Sequence, residues 1–167
     1  VTLPADVVGE CNEDISAVEL PSPDIISSIF LEQDQELCIS GCDISQFYNR
    51  LQAPSEVIRL LGMPRIKASL LGLSSKSGHL VPCLTCIPMG ATFAVALAQA
   101  VTSSILRSNG MNVPRAYRSL IDTQLSQGTK VPLVYIDDVN ILGTDADQVN
   151  RERDVARESL ESAKLPT

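Results

Sequence analysis

The contrast between apolar and polar positions is sharpest over 131–143, which reads Val-Pro-Leu-Val-Tyr-Ile-Asp-Asp-Val-Asn-Ile-Leu-Gly. Two apolar runs, 133–136 and 139–142, flank an adjacent pair of acids, a pattern that predicts a β-hairpin with Asp137 and Asp138 at its tip. A second short run, Leu-Cys-Ile-Ser-Gly-Cys, ends on Asp43 and predicts a strand over 37–43. Helical spacing governs much of the remainder. Ser22-Pro23-Asp24 opens a helix with Pro at its first position, and Ile25, Ile26, Ile29 and Phe30 form its apolar stripe before the polar stretch 32–36. Short helices are expected over 47–51 and 56–61, the second restarted by Ala53-Pro54-Ser55, stopped by Gly62-Met63-Pro64, and burying Val57, Ile58, Leu60 and Leu61. The stretch 66–73 fits helix and strand equally, 74–78 is a polar turn, and 79–87 predicts a strand. The longest helix is expected over about 92–107, with Phe93, Leu97, Ala100, Val101 and Leu106 inward. A further helix is predicted over 114–127 with Gly128 as its stop, and a last one starts at Thr144 and Asp147 with Val149, Ala156, Leu160 and Ala163 on one face. Residues 1–20 are acidic, without periodicity, and read as loop.

Strands alternating with helices, with acids at strand ends, predict an α+β fold in which an antiparallel sheet is backed by helices on one face. At 167 residues and 44% hydrophobic composition, the chain fits one globular domain with a real core. The most apolar stretch, 87–106, is broken by Thr, Gln and Ser and reads as a buried helix rather than a membrane span, and no secretory signal is seen. Five cysteines include Cys38 and Cys42, and Cys83 and Cys86 at C-x-x-C spacing. On a strand, residues three apart face opposite sides, so the expectation is small buried thiols in a reducing compartment rather than zinc ligands. His79, the single histidine, reads as a surface residue beside a turn.

The acids carry the chemistry. Asp at a hairpin turn can serve structure alone, by accepting backbone hydrogen bonds. Two like charges held on an apolar hairpin nevertheless repel unless a cation neutralises them, and Asp43, at the end of its own strand, offers a third carboxylate that would meet them if the two strands lie side by side. Mg²⁺ prefers a few carboxylates completed by water and substrate phosphate oxygens. Pro88-Met89-Gly90 precedes the long helix, and Gly90, lacking a side chain, would let an anionic substrate approach the backbone ahead of the helix N-terminus. As a bare pattern, Pro-x-Gly is also an ordinary strand-to-helix turn.

Asp43-Ile44-Ser45-Gln46-Phe47-Tyr48, Ile87-Pro88-Met89-Gly90 and Tyr135-Ile136-Asp137-Asp138 resemble, in order, motifs A (43–48), B (87–90) and C (135–138) of the reverse transcriptase palm, most closely that of retroelement polymerases. Three weak motifs in the right order are a far stronger signal than any one of them. The resemblance spans 37–167 and makes 1–36 an approach segment at the junction of fingers and palm. It implies a palm-like antiparallel sheet of three to four strands, a fragment without complete fingers and thumb, and RNA-directed DNA polymerase activity within a retrotransposon polyprotein. Asp43, Asp137 and Asp138 would be the catalytic acids, and with the Ile44 backbone would hold two Mg²⁺ ions, for which Mn²⁺ can substitute. Phe47, Tyr48, Met89 and Gly90 would contact the nucleotide, with the Tyr48 ring excluding a ribose 2′-hydroxyl. Met89 departs from the Gln common in retroviral members, so any hydrogen bond from that side chain is lost. Implied partners are an RNA or DNA template with primer, deoxynucleoside triphosphates, and the fingers, thumb and RNase H of the polyprotein. The implied setting is intracellular, in cytoplasm, retroelement particle or nucleus.

The net charge of −7 runs against a nucleic-acid grip, which ordinarily needs a basic face. In the family most phosphate-binding Lys and Arg lie in fingers and thumb, so the deficit points to a palm-centred piece expected to polymerise weakly or not at all alone. The start at Val1 and the stop at Thr167 agree with that expectation. The competing expectations are a catalytically inactive palm, an RNA-templated RNA polymerase, and a non-enzymatic acidic α/β interaction module in which the Asp pair is only a turn.

Overall fold

The structure is a computed structural model that describes residues 18–73, 78–91 and 93–167. Most of the loop expected over 1–20, the turn residues 74–77 and Thr92 lie outside the described residues. The fold is mixed α+β, built on a three-stranded antiparallel sheet formed by β2 (Cys38–Asp43), β6 (Lys130–Tyr135) and β7 (Asp138–Gly143) in the order β2-β7-β6. Two long helices lie on one face: α4 (Ala94–Ser108) packs on β6, while α5 (Ala146–Ser162) packs on β2, β7 and α4. Val134, Val139 and Ile141 from the sheet meet Ala98, Val101, Ile105, Val149, Ala156 and Leu160 from the helices. The small side chains of α4 let the helix approach closely.

The other face of the sheet is partly covered as well. Val131, Leu133 and Leu142 pack with Ile25, Tyr117 and Leu125. This two-sided burial explains why β6 reads as a continuous apolar run rather than an alternating one, since Val131 to Val134 are all buried. Ile25 belongs to α1 (Pro23–Ser27), which starts at Pro23 as expected, but the stripe ends early. Phe30 leaves the helix for β1 (Phe30–Leu31), which pairs in parallel with β5 (Gln124–Leu125), and its ring is exposed. Tertiary pairing has overridden the local helical spacing there.

Several expected elements are corrected. The helix predicted over 114–127 is a 3-10 turn (Tyr117–Leu120) followed by β5, because Tyr117 and Leu125 are drawn under the sheet. The segments 47–51 and 56–61 give α2 (Phe47–Arg50) and α3 (Ser55–Ile58), and Leu60 is exposed instead of buried. The ambiguous stretch 66–73 divides into β3 (Ile66–Lys67) and a 3-10 turn (Ala68–Leu71). The strand predicted over 79–87 shortens to β4 (His79–Leu80), with the rest held by isolated bridges Gly62↔Cys83 and Gln52↔Cys86. His79 lies exposed, as expected. Cys38, Cys42 and Cys86 are only half-buried and Cys83 is exposed, so the expectation of buried thiols is met in part for the first three and fails for Cys83, while Cys11 lies outside the described residues. The N-cap of α5 is Asp145, which accepts from the Gln148 amide at 3.0 Å, rather than Thr144. Among the described residues no helix is long and apolar enough to cross a membrane.

Candidate active site

Antiparallel pairing places the acids. Register runs from Cys38↔Gly143 to Asp43↔Asp138, so Asp43 and Asp138 stand directly opposite on neighbouring strands, and Tyr135 opposes Asp138 from the far side. Opposed residues share a face, so Asp43, Asp138 and Tyr135 project together at one end of the sheet. Asp137 sits in the turn between β6 and β7, and its carbonyl accepts from the Ile44 amide at 3.0 Å, which seals the end of β2 to the turn. Like charges facing each other across a sheet are unfavourable, and the electrostatics register it. The Asp138 carboxyl is pushed above the usual carboxylate range, first by burial and then by the charges of Asp137 and Asp43.

A cleft of about 390 Å³ opens beside this edge. Asp43, Ile44, Phe47 and Tyr48 line it from one segment, Ile87, Pro88 and Met89 from another, and Asp137 from the hairpin turn. Three stretches distant in the chain therefore converge on one space. Gln46, Asn49, Leu84 and Cys86 complete its walls. Asp138 and Gly90 do not line it.

The aromatic pair divides its work. Phe47 is only 2% exposed and belongs to the core, its ring 6.0 Å from that of Tyr48, so it forms the floor of the cleft rather than a free contact surface. Tyr48 is half-buried, and its hydroxyl is held above the ordinary tyrosine range by burial, then by the Asp137 charge, then by Tyr135. Met89 stands 81% exposed at the rim. Gly90 takes φ +96°, a conformation side chains resist, and nothing lies within 4 Å of where a Cβ would be. It does not sit at a helix start: Ala91 closes a turn on Pro88, and α4 begins only at Ala94. The long helix expected from about 92 therefore starts slightly later, and Gly90 precedes its N-terminus across that turn.

Among the described residues no three His, Cys, Asp or Glu side chains are arranged as a cage for an ion. The donor chemistry of the cleft still fits a hard divalent cation. Asp43 and Asp137 offer carboxylate oxygens to one space, and Mg²⁺ characteristically takes one or two carboxylates and fills its remaining positions with water and phosphate oxygens.

Side chains from α4 and the 3-10 turn hold this end of the hairpin, and reading the sequence for chemistry missed them. Ile136, a β-branched residue, is left-handed at φ +61°. Buried Gln99 donates from Nε2 to the Val134 carbonyl at 2.8 Å and accepts at Oε1 from the Ile136 amide at 2.7 Å. The Thr102 hydroxyl donates to the Ile136 carbonyl at 2.7 Å, and the Tyr117 hydroxyl accepts from the Val134 amide at 2.9 Å. The available signal was Gln99, a polar amide inside an otherwise apolar helical stripe. No protein-family model matches the chain, and no curated protein matches it.

Proposed function

We propose that this chain is the palm region of a retroelement reverse transcriptase, an RNA-directed DNA polymerase. The observation that carries the proposal is the cleft in which 43–48, 87–89 and Asp137 meet, since those are the three stretches that resemble polymerase motifs. In this assignment Asp43 and Asp137, with the Ile44 backbone, hold the divalent ions, and Asp138 supports them from the opposed strand position. Bound Mg²⁺ would activate the primer 3′-hydroxyl and stabilise the leaving pyrophosphate in an in-line displacement. The protein's own groups do the positioning. Tyr48 supports the sugar of the incoming deoxynucleotide on the Phe47 floor and excludes a 2′-hydroxyl, while Met89 bounds the nucleotide on the opposite side and the open backbone at Gly90 lies next to it, outside the cleft wall.

The test is primer extension on an RNA template by the full-length parent protein, run with deoxynucleotides and with ribonucleotides. Asp137→Asn is expected to lower extension by about 10³-fold, the loss of several kcal/mol of metal-borne stabilisation. Equal extension by both proteins removes Asp137 from catalysis, and a preference for ribonucleotides assigns the site to RNA synthesis instead.

A further inference from the structure

The three-stranded sheet ends at β6, and an edge strand leaves outward-facing N–H and C=O groups unpaired unless something else takes them. Near the acids, side chains do so. Through its two hydrogen bonds, the Gln99 amide bridges the Val134 carbonyl and the Ile136 amide as the backbone of a further strand would. Thr102, three residues on and therefore on the same helical face, takes the Ile136 carbonyl. Gln99 is 5% exposed and Thr102 fully buried, so water does not compete for these bonds. Both backbone groups of the single left-handed residue in the turn are thereby tied to α4, and the next residue is Asp137.

We propose that Gln99, assisted by Thr102, is the positioning residue of the acid turn: it holds Ile136 left-handed and so aims Asp137 into the cleft. The effect on catalysis rests on the polymerase assignment, whereas the clamp itself does not. A β-branched residue gains nothing from a left-handed backbone, so without the clamp the turn relaxes and Asp137 loses its fixed relation to Asp43. Tyr117 makes a built-in control. It binds the same strand end through both backbone groups of Val134, its hydroxyl also meets the Gln99 side chain, and it touches neither group of Ile136.

The experiment uses the ¹⁵N-labelled 167-residue chain, titrated with Mn²⁺ and followed by paramagnetic broadening of backbone amides. The Ile136 amide-to-Hα coupling and amide exchange rate are measured alongside. Gln99→Met, which keeps the shape and removes the bonds, is expected to raise the Mn²⁺ concentration for half-broadening at Asp137 by about 10–100-fold. It should also speed Ile136 exchange by roughly tenfold or more and change its coupling. Tyr117→Phe is expected to stay within about twofold of the native midpoint, since it leaves the ligand-bearing turn bonded. Equal shifts in the two variants, or an unchanged Ile136 coupling in Gln99→Met, overturn the proposal. Should Gln99→Met not fold, Thr102→Val carries the same test through the Ile136 carbonyl bond, with a smaller shift in the same direction expected and none overturning the clamp. A native chain whose Asp43 and Asp137 amides ignore millimolar Mn²⁺ defeats the metal assignment, and the clamp is then decided by coupling and exchange at Ile136.

Discussion

The two walls of the cleft are built in opposite ways. The acid wall rests on six-residue strands and on helices of 15 and 17 residues, with Val134, Val139, Ile141 and Leu160 all sealed from solvent. The facing wall, in the described residues of 52–91, consists of the four-residue helix α3, two-residue strands, isolated bridges and short turns, and leaves Leu60 83% and Leu70 76% exposed. Charged groups that the proposed chemistry would need precisely aimed sit where the core over-determines the backbone. Apolar groups that need only bound a space sit where it does not. Local opening follows buried contact and hydrogen bonding, so the second wall belongs to the lower-stability part of the molecule.

Substitution should break this contrast unequally. Leu160→Ala empties a fully buried site under the acid wall and is expected to cost about 2–5 kcal/mol in urea unfolding. Leu70→Ala on the facing wall should stay within about 0.5 kcal/mol. Comparable losses would mean that the two walls fold as one body of uniform stability. Next in size is Gly41→Ala. A Cβ there would meet the Asn140 side chain and come within 2.9 Å of the Val139 carbonyl oxygen, which a β-sheet cannot readily move. Overpacking of about 1–3 kcal/mol is expected, with spectral changes at Asp43 and Asp138, and a neutral effect would show that this end of the sheet gives way more easily than its register implies.

The smallest expected effect is electrostatic. Because the folded Asp138 pKa is raised, its contribution to stability is full below the ordinary aspartate pKa and is lost as pH rises through the raised value. At neutral pH the native carboxylate is therefore a burden, discounted because the group is largely exposed. Asp138→Asn should raise Tm by about 1–2 °C at pH 7, and the gain should vanish near pH 3. A variant less stable than the native chain at pH 7 would assign Asp138 a structural role as a hydrogen-bond acceptor.

The hairpin, the strand ending at Asp43, the α4 helix and the buried stripe of α5 were legible in the sequence, because each is a local pattern long enough to carry its own period. The resemblance of 43–48, 87–90 and 135–138 to polymerase motifs lay equally on the surface of the sequence. What the period of apolar residues could not convey was pairing. Phe30 and Leu125 became strand residues only because β1 and β5 found each other across most of the chain, and the stretch carrying Tyr117 gave up a helix to cover the second face of the sheet. The site divides along the same line. Sequence alone determined which acids are present and that they lie at strand ends, since alternation and turn chemistry are nearest-neighbour physics. Tertiary structure decided that Asp43 faces Asp138 in register, that Asp137 turns into the cleft while Asp138 does not, and that an amide on a distant helix bonds to the left-handed residue just before Asp137. Those outcomes depend on hydrogen bonds between residues far apart in the chain, and no local window contains both partners.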